Sequence, residues 1–224
     1  MTDNAPQPSL REQKKEETRR ALSRAAAELL LAEGNEGMTV AAIAERAGVS
    51  TRTFHNYFPR REDALLTFIE FTVDEWRLLV EQAPDGEDPL STMQRLVTER
   101  IDDRDGTAGL AGNPGSLLNL MSIGDHLSYV TGPQDKERVR HLADGLLEAL
   151  YRRPGHQMSR QAVALLVISS LAAGAIAVES AQQHADPAEN TCLPPWAAVP
   201  GGRSQDPGTV LDDEFTVLRT GFGG

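Results

Sequence analysis

Between Ala41 and Phe58 a helical apolar rhythm stops and restarts across four residues, "AGVS" at 47–50. Few folds tolerate such a break. Two helices that meet steeply across so short a turn need a small residue where their backbones approach, and Ala44 supplies one. They need a residue that takes a left-handed backbone without a Cβ penalty, and Gly48 does so. They also need apolar side chains aimed into a shared core. Ile43, Ala47, Val49, Phe54 and Tyr57 fall at the required offsets. The pattern predicts a helix-turn-helix, with Thr39 capping its first helix and Ser50 its second.

The second of these helices, "TRTFHNYF", turns Phe54 and Phe58 inward, because they stand four residues apart. Thr51, Arg52, His55 and Asn56 fall mainly on the opposite side. Arginine can pair bidentately with guanine and asparagine with adenine. Threonine can meet a thymine methyl or a phosphate. An exposed face with this mix suits the major groove of DNA, although a merely solvated helix could carry it too.

The remainder of the chain is read as helical. Residues 1–10 hold two prolines and are expected to form an arm. A first helix runs from about Lys14 to Glu33, with Leu22, Ala25, Ala26, Leu29 and Leu30 on one face and Gly34 and Gly37 ending it. After Pro59 an amphipathic helix extends to about Gln82, and "PLSTMQRLVTERIDD" follows as another. The Gly- and Asp-rich stretch 104–115 gives no clear signal. "SLLNLMSI" reads as a short helix, and "QDKERVRHLADGLLEALYRR" as a longer one with Val139, Leu142, Leu146, Leu147 and Leu150 on a face. The stretch 158–184 is long, apolar and read as a buried helix. A Pro-rich loop covers 185–208, and "DDEFTVLRTGF" makes a short last helix. No stretch sustains strand alternation. The fold class is all-α with about nine helices, divided into an arm and helix-turn-helix at 1–60 and a helical body at 61–224.

Charge agrees with that division. The net formal charge of −11 excludes a general nucleic-acid coat. Residues 1–61 nevertheless hold ten Lys/Arg against eight Asp/Glu, so the acidity belongs to the body. Only the N-terminal quarter is suited to a polyanion.

At this point the sequence resembles a known family. "MTVAAIAERAGVSTRTFHNYFPRREDALL", behind the long helix "TRRALSRAAAELLLAEG", is similar to the DNA-binding domain of TetR/AcrR-family transcriptional regulators over residues 15 to about 66. The resemblance implies that Thr51, Arg52, Thr53, His55 and Asn56 occupy the recognition helix, behind its cap Ser50. It implies that Tyr57 meets phosphate near the end of that helix, and that Thr39 and Arg61 grip phosphates from the starts of the second and fourth helices. It also implies an effector-binding and dimerising body, and a homodimer on a palindromic operator. The basic cluster of Lys14, Lys15, Arg19 and Arg20 reads as a helix laced by charge pairs, from which Lys14 or Arg19 could still reach phosphate.

Met93, Leu96, Leu117, Leu120, Met121, His126 and Tyr129 are the candidates for lining an effector cavity, His126 and Tyr129 being the polar groups that could orient a ligand. Plain core is the favoured reading of each, as it is of Trp76. The histidines show no HxxxH or HExxH spacing and the only cysteine is Cys192, so no metal, cofactor or disulfide is expected. No nucleophile–base pair or phosphate-cradling loop points to an enzyme. The expectation is a cytoplasmic, ligand-responsive repressor that binds operator DNA and a small-molecule effector and no membrane. The alternatives are an activator, an architectural DNA-binding protein, or a helical small-molecule-binding protein or enzyme.

Overall fold

The computed structural model describes residues 9–102, 117–130, 132–182 and 206–221. Among them all regular structure is α-helical: α1 Leu10–Gly37, α2 Val40–Arg46, α3 Thr51–Tyr57, α4 Arg61–Glu81, α5 Pro89–Asp102, α6 Leu117–Val130, α7 Pro133–Tyr151, α8 Arg160–Gln182 and α9 Pro207–Thr220. Most of the expected Pro-rich loop, Cys192, His184 and the stretch 104–115 lie outside the described residues.

Three helix ends differ from the sequence expectation. α1 starts at Leu10, not near Lys14, because Ser9 and Glu12 form a capping box. The Ser9 hydroxyl accepts from the Glu12 N–H at 3.3 Å, and the Ser9 N–H donates to the Glu12 carboxylate at 2.8 Å. Gly34 breaks α1 as expected, at φ +67°. The last helix begins five residues before Asp212, with Asp206 capping the Thr209 N–H at 3.1 Å and Pro207 in the first turn. α6 extends over 14 residues, well beyond "SLLNLMSI".

The helices enclose two cores. The first gathers Leu22, Ala26 and Leu29 of α1, Met38, Ile43 and Ala44 of the α2 region, Phe54 and Phe58 around α3, and Leu65, Leu66 and Phe68 of α4. Ile123 and Leu127 of α6 complete it, so the N-terminal head rests on a helix of the body. The second core holds Trp76 and Val80 of α4, Met93, Leu96 and Val97 of α5, Leu146 and Leu150 of α7, Val163 of α8, and Val210, Leu211 and Phe215 of α9. α4 therefore belongs to both cores, through successive stretches of one apolar stripe spaced three to four residues apart.

α8 corrects one expectation. It is long and apolar enough to cross a membrane by composition, yet only 39% of its most apolar 18 residues are buried. It packs on α5, α7 and α9, and leaves Leu165 and Ile168 64% and 65% exposed.

α9 carries a carboxyl oxygen that has no hydrogen-bond partner among the described residues. Glu214 is half-buried and its Oε2 receives no hydrogen bond, and burial raises its pKa to about 7 from an ordinary 4.5. A carboxyl whose pKa is higher folded than unfolded favours the folded state while both forms are protonated. That contribution is lost as pH rises from about 4.5 through about 7. Glu214→Gln should therefore raise Tm at pH 8 and leave it unchanged at pH 4.5. Equal shifts at both pH values in calorimetry would contradict the assignment.

Candidate nucleic-acid interface

The turn between α2 and α3 is fixed by backbone bonds that the sequence permits. Gly48 takes φ +69°, its N–H donates to the Glu45 carbonyl at 3.0 Å, and the Val49 N–H donates to the Ala44 carbonyl at 2.9 Å. An added Cβ at Gly48 would meet no atom, so the requirement for glycine is the left-handed backbone and not space. Ala44 is fully packed where the helices approach. Thr39 caps α2, accepting from the Ala42 N–H at 3.1 Å. Ser50 caps α3, accepting from the Thr53 N–H at 3.0 Å.

These constraints set how α3 is rotated. Phe54 is fully buried and its ring lies 5.7 Å from that of Phe58. Thr51, Arg52, His55 and Asn56 are exposed on the other side. Among the described residues no acidic group pairs with Arg52. The Thr53 hydroxyl is hydrogen-bonded to that of Ser50 at 2.9 Å. Tyr57 is half-buried, packed against the first core.

Arg61 is held differently from its neighbours on this face. Its guanidinium donates to the carbonyls of Asn35 at 2.7 Å and Met38 at 3.0 Å, to the Asn35 side chain at 2.7 Å, and to Glu62 at 2.9 Å. It clamps the link between α1 and α2 to the start of α4. A phosphate would have to compete with those acceptors. Arg19, another phosphate candidate, turns toward the body. It donates to the Thr67 hydroxyl and pairs with Glu70, each at 3.2 Å.

Glu70 also pairs with Arg138 of α7, and Arg138 donates to Thr67 as well, at 3.3 Å. The Glu70 carboxylate holds the Arg138 guanidinium above its usual pKa. Next to it, Arg60 bonds Asp63 at 2.8 Å and Asp135 of α7 at 3.2 Å, and those carboxylates raise its pKa too. Two ionic clusters thus tie α1 and α4 to α7. Sequence reading missed all of them, because Arg19 and Glu70, Glu70 and Arg138, and Arg60 and Asp135 are 51, 68 and 75 residues apart.

Beneath these clusters lies a cavity of about 460 Å³. Ile69, Val73 and Trp76 of α4 line it, with Leu120 and Leu127 of α6, Val139 and Leu146 of α7, and Val167 and Leu171 of α8. Of the described residues expected from sequence, Leu120 lines it. Met93 is sealed in the second core and Leu96 beside it. Tyr129 is 82% exposed at the end of α6, and His126 is absent from the cavity wall. The side chains of Leu117 and Met121 lie outside the described residues. Helical period identifies which residues are apolar and shared by a face, and that property does not separate a filled core from one with a void.

Comparison with known proteins agrees with the geometry. Residues 22–66 match the family model for bacterial regulatory proteins of the tetR family. The chain is 41% identical over 117 residues to the HTH-type transcriptional regulator TcmR of Streptomyces glaucescens, covering 51% of this chain and 50% of that protein. The alignment thus spans about half the length of this curated relative. A transcriptional regulator from Rhodococcus superposes with a TM-score of 0.58 at 17% identity, over 91% of this chain and 96% of that one. A TetR/AcrR-family regulator from Thermobifida fusca gives 0.55 at 18% identity, over 92% and 98%. At such identities these two structures establish the shared all-α fold alone.

Proposed function

We infer, from the match of residues 22–66 to the family model for bacterial regulatory proteins of the tetR family, that the chain is a DNA-binding transcriptional regulator of that family. It acts in the cytoplasm as a homodimeric repressor on a palindromic operator and is released by a small-molecule effector. The observation that carries this reading is the rotation of α3. Thr51, Arg52, His55 and Asn56 are exposed on a helix whose opposite face is locked by Phe54. Arg52 and Asn56 read base edges. Thr39, Ser50, Thr51, Thr53 and Tyr57 meet the backbone and set the register, and His55 lies against the groove. Arg61 acts on DNA mainly by holding the α1–α2 link in place, since its own donors are engaged there.

Residues 1–60 form the DNA-binding part and 61–224 the regulatory and dimerising part. A dimer would set two recognition helices about 34–36 Å apart, one turn of duplex. The apolar face of α8 left exposed by Leu165 and Ile168, with Val217 of α9, supports assembly through these helices. The cavity and the ionic clusters share α4 and α7. Ile69 and Val139 line the cavity, and Glu70 and Arg138 follow or precede them in the chain. A ligand that wedges α4 from α7 would therefore disturb Arg19 on α1, provided that it binds the altered state more tightly.

The test is a gel-shift titration on the intergenic DNA upstream of the gene, with excess non-specific competitor at two salt concentrations. A saturable shift that survives competitor is expected. Loss of the shift to competitor, with a steep fall in salt, would leave only phosphate attraction and reject a specific operator there. Deletion of the gene should raise expression of its neighbours; lowered expression would identify an activator. Arg52→Ala should weaken operator binding by about 1–3 kcal/mol and relax one base position. Unchanged affinity across an operator mutant series would remove Arg52 from base readout.

A further inference from the structure

We propose that the cavity between α4, α6, α7 and α8 selects an uncharged, predominantly apolar molecule that enters between α6 and α7. This rests on the reading that an effector acts through the body. It adds to that reading the class of molecule and the way in.

The wall sets the class. Among the described residues that line it, none is Asp, Glu, Lys, Arg or His. Its side-chain hydroxyls, Thr72 and Ser128, donate to the carbonyls of their own helices, Phe68 at 3.0 Å and Asp125 at 2.7 Å. Among the charged residues adjacent in sequence to the α4 and α7 walls, Glu70 and Arg138 are paired with each other and with Arg19 and Thr67, Arg77 is paired with Asp74 and Glu81, and Arg140 is paired with Glu137. An ionised ligand would surrender its hydration and find no free counter-charge among the described lining residues, which is costly in an apolar site. A neutral molecule meets no such penalty and gains by burying apolar surface. The volume of about 460 Å³ falls within the range of small-molecule sites.

The way in follows from exposure. The lining residues of α4 and α8 are buried or half-buried. The exposed ones, Gly124 and Ser128 on α6 and Val139 and Ala143 on α7, mark the rim. Ala143 is the residue to change, because a large side chain there narrows the opening without entering the core.

The experiment is equilibrium dialysis of the full chain against a matched pair, benzophenone and its anion 4-benzoylbenzoate, with Tm and the gel shift recorded on the same samples. Benzophenone is expected to bind at least about tenfold more tightly than the anion, the difference being the unpaired buried charge. Ala143→Trp is expected to weaken benzophenone binding about tenfold with Tm unchanged, as befits an exposed position. Equal or tighter binding of the anion would overturn the class, and so would the absence of binding by either compound up to the solubility of benzophenone. An Ala143→Trp protein of normal Tm that binds benzophenone as before would overturn the entrance. If Ala143→Trp lowers Tm, Ala143→Leu serves as the second variant under the same criteria. Retained operator binding without benzophenone binding removes this proposal and leaves the regulator. Benzophenone binding without any operator binding does the reverse.

Discussion

Phe54→Ala should cost the protein about 3–5 kcal/mol of stability, the range for truncating a buried aromatic side chain. Phe54 is fully buried at the centre of the first core, against Phe58 and among residues from α1, α2 and α4. The site cannot collapse easily, since Ile43 and Ala44 are held by the bonded turn and Leu65 and Leu66 by the long α4. With a whole-domain stability of about 5–15 kcal/mol, such a loss is a large share. The void also frees the rotation of α3, so operator affinity should fall further than it does for Arg52→Ala. Urea denaturation followed by circular dichroism, paired with gel shifts below the transition, measures both effects. A loss under about 1 kcal/mol would mean that Phe54 does not lock the recognition helix. The contrast with Arg52→Ala is diagnostic. Arg52 is exposed, so its removal should lower DNA affinity and leave stability within about 0.5 kcal/mol.

That contrast also shows which parts of the molecule were legible in the sequence. The α2–α3 unit was read residue by residue, with Thr39 and Ser50 as caps, Gly48 at the turn and Phe54 and Phe58 inside. Each of those features is decided by neighbours within a few positions. The start of α1 was equally local, but the Ser9–Glu12 box was hidden among prolines and polar residues read as an arm. What could not be read depends on distant partners. Arg61 and Arg19 are basic residues next to a DNA-binding motif, and both are committed to acceptors elsewhere in the fold. Arg60 and Glu70 join the body through residues of α7, with no spacing to announce it. The cavity lies against Leu120, while Met93 and Leu96 fill core, because a void depends on how four helices fail to meet. No single helix encodes that.

The same dependence on partners explains α8, and it gives the second large effect. Its sequence reads as buried and its structure in one chain leaves Leu165 and Ile168 in water, three residues apart on one face. Apolar side chains of this size on an otherwise packed helix are satisfied most simply by the same face of a second copy, related by two-fold symmetry. Replacing both with Asp should cost the isolated chain little, since neither touches the core. Across a two-fold interface it would instead bury four like charges without partners. Sedimentation should therefore show a dimer for the natural sequence and a monomer for the Leu165→Asp, Ile168→Asp protein. Operator affinity should fall by about 10²–10⁴, because two linked heads become independent half-site binders. Each head should still contact a half-site, and sensitivity to Arg52→Ala should persist at high protein concentration. A double variant that remains dimeric would move the interface off this face of α8. A natural chain that floats with lipid vesicles, while the variant stays in solution, would assign the same face to a bilayer instead.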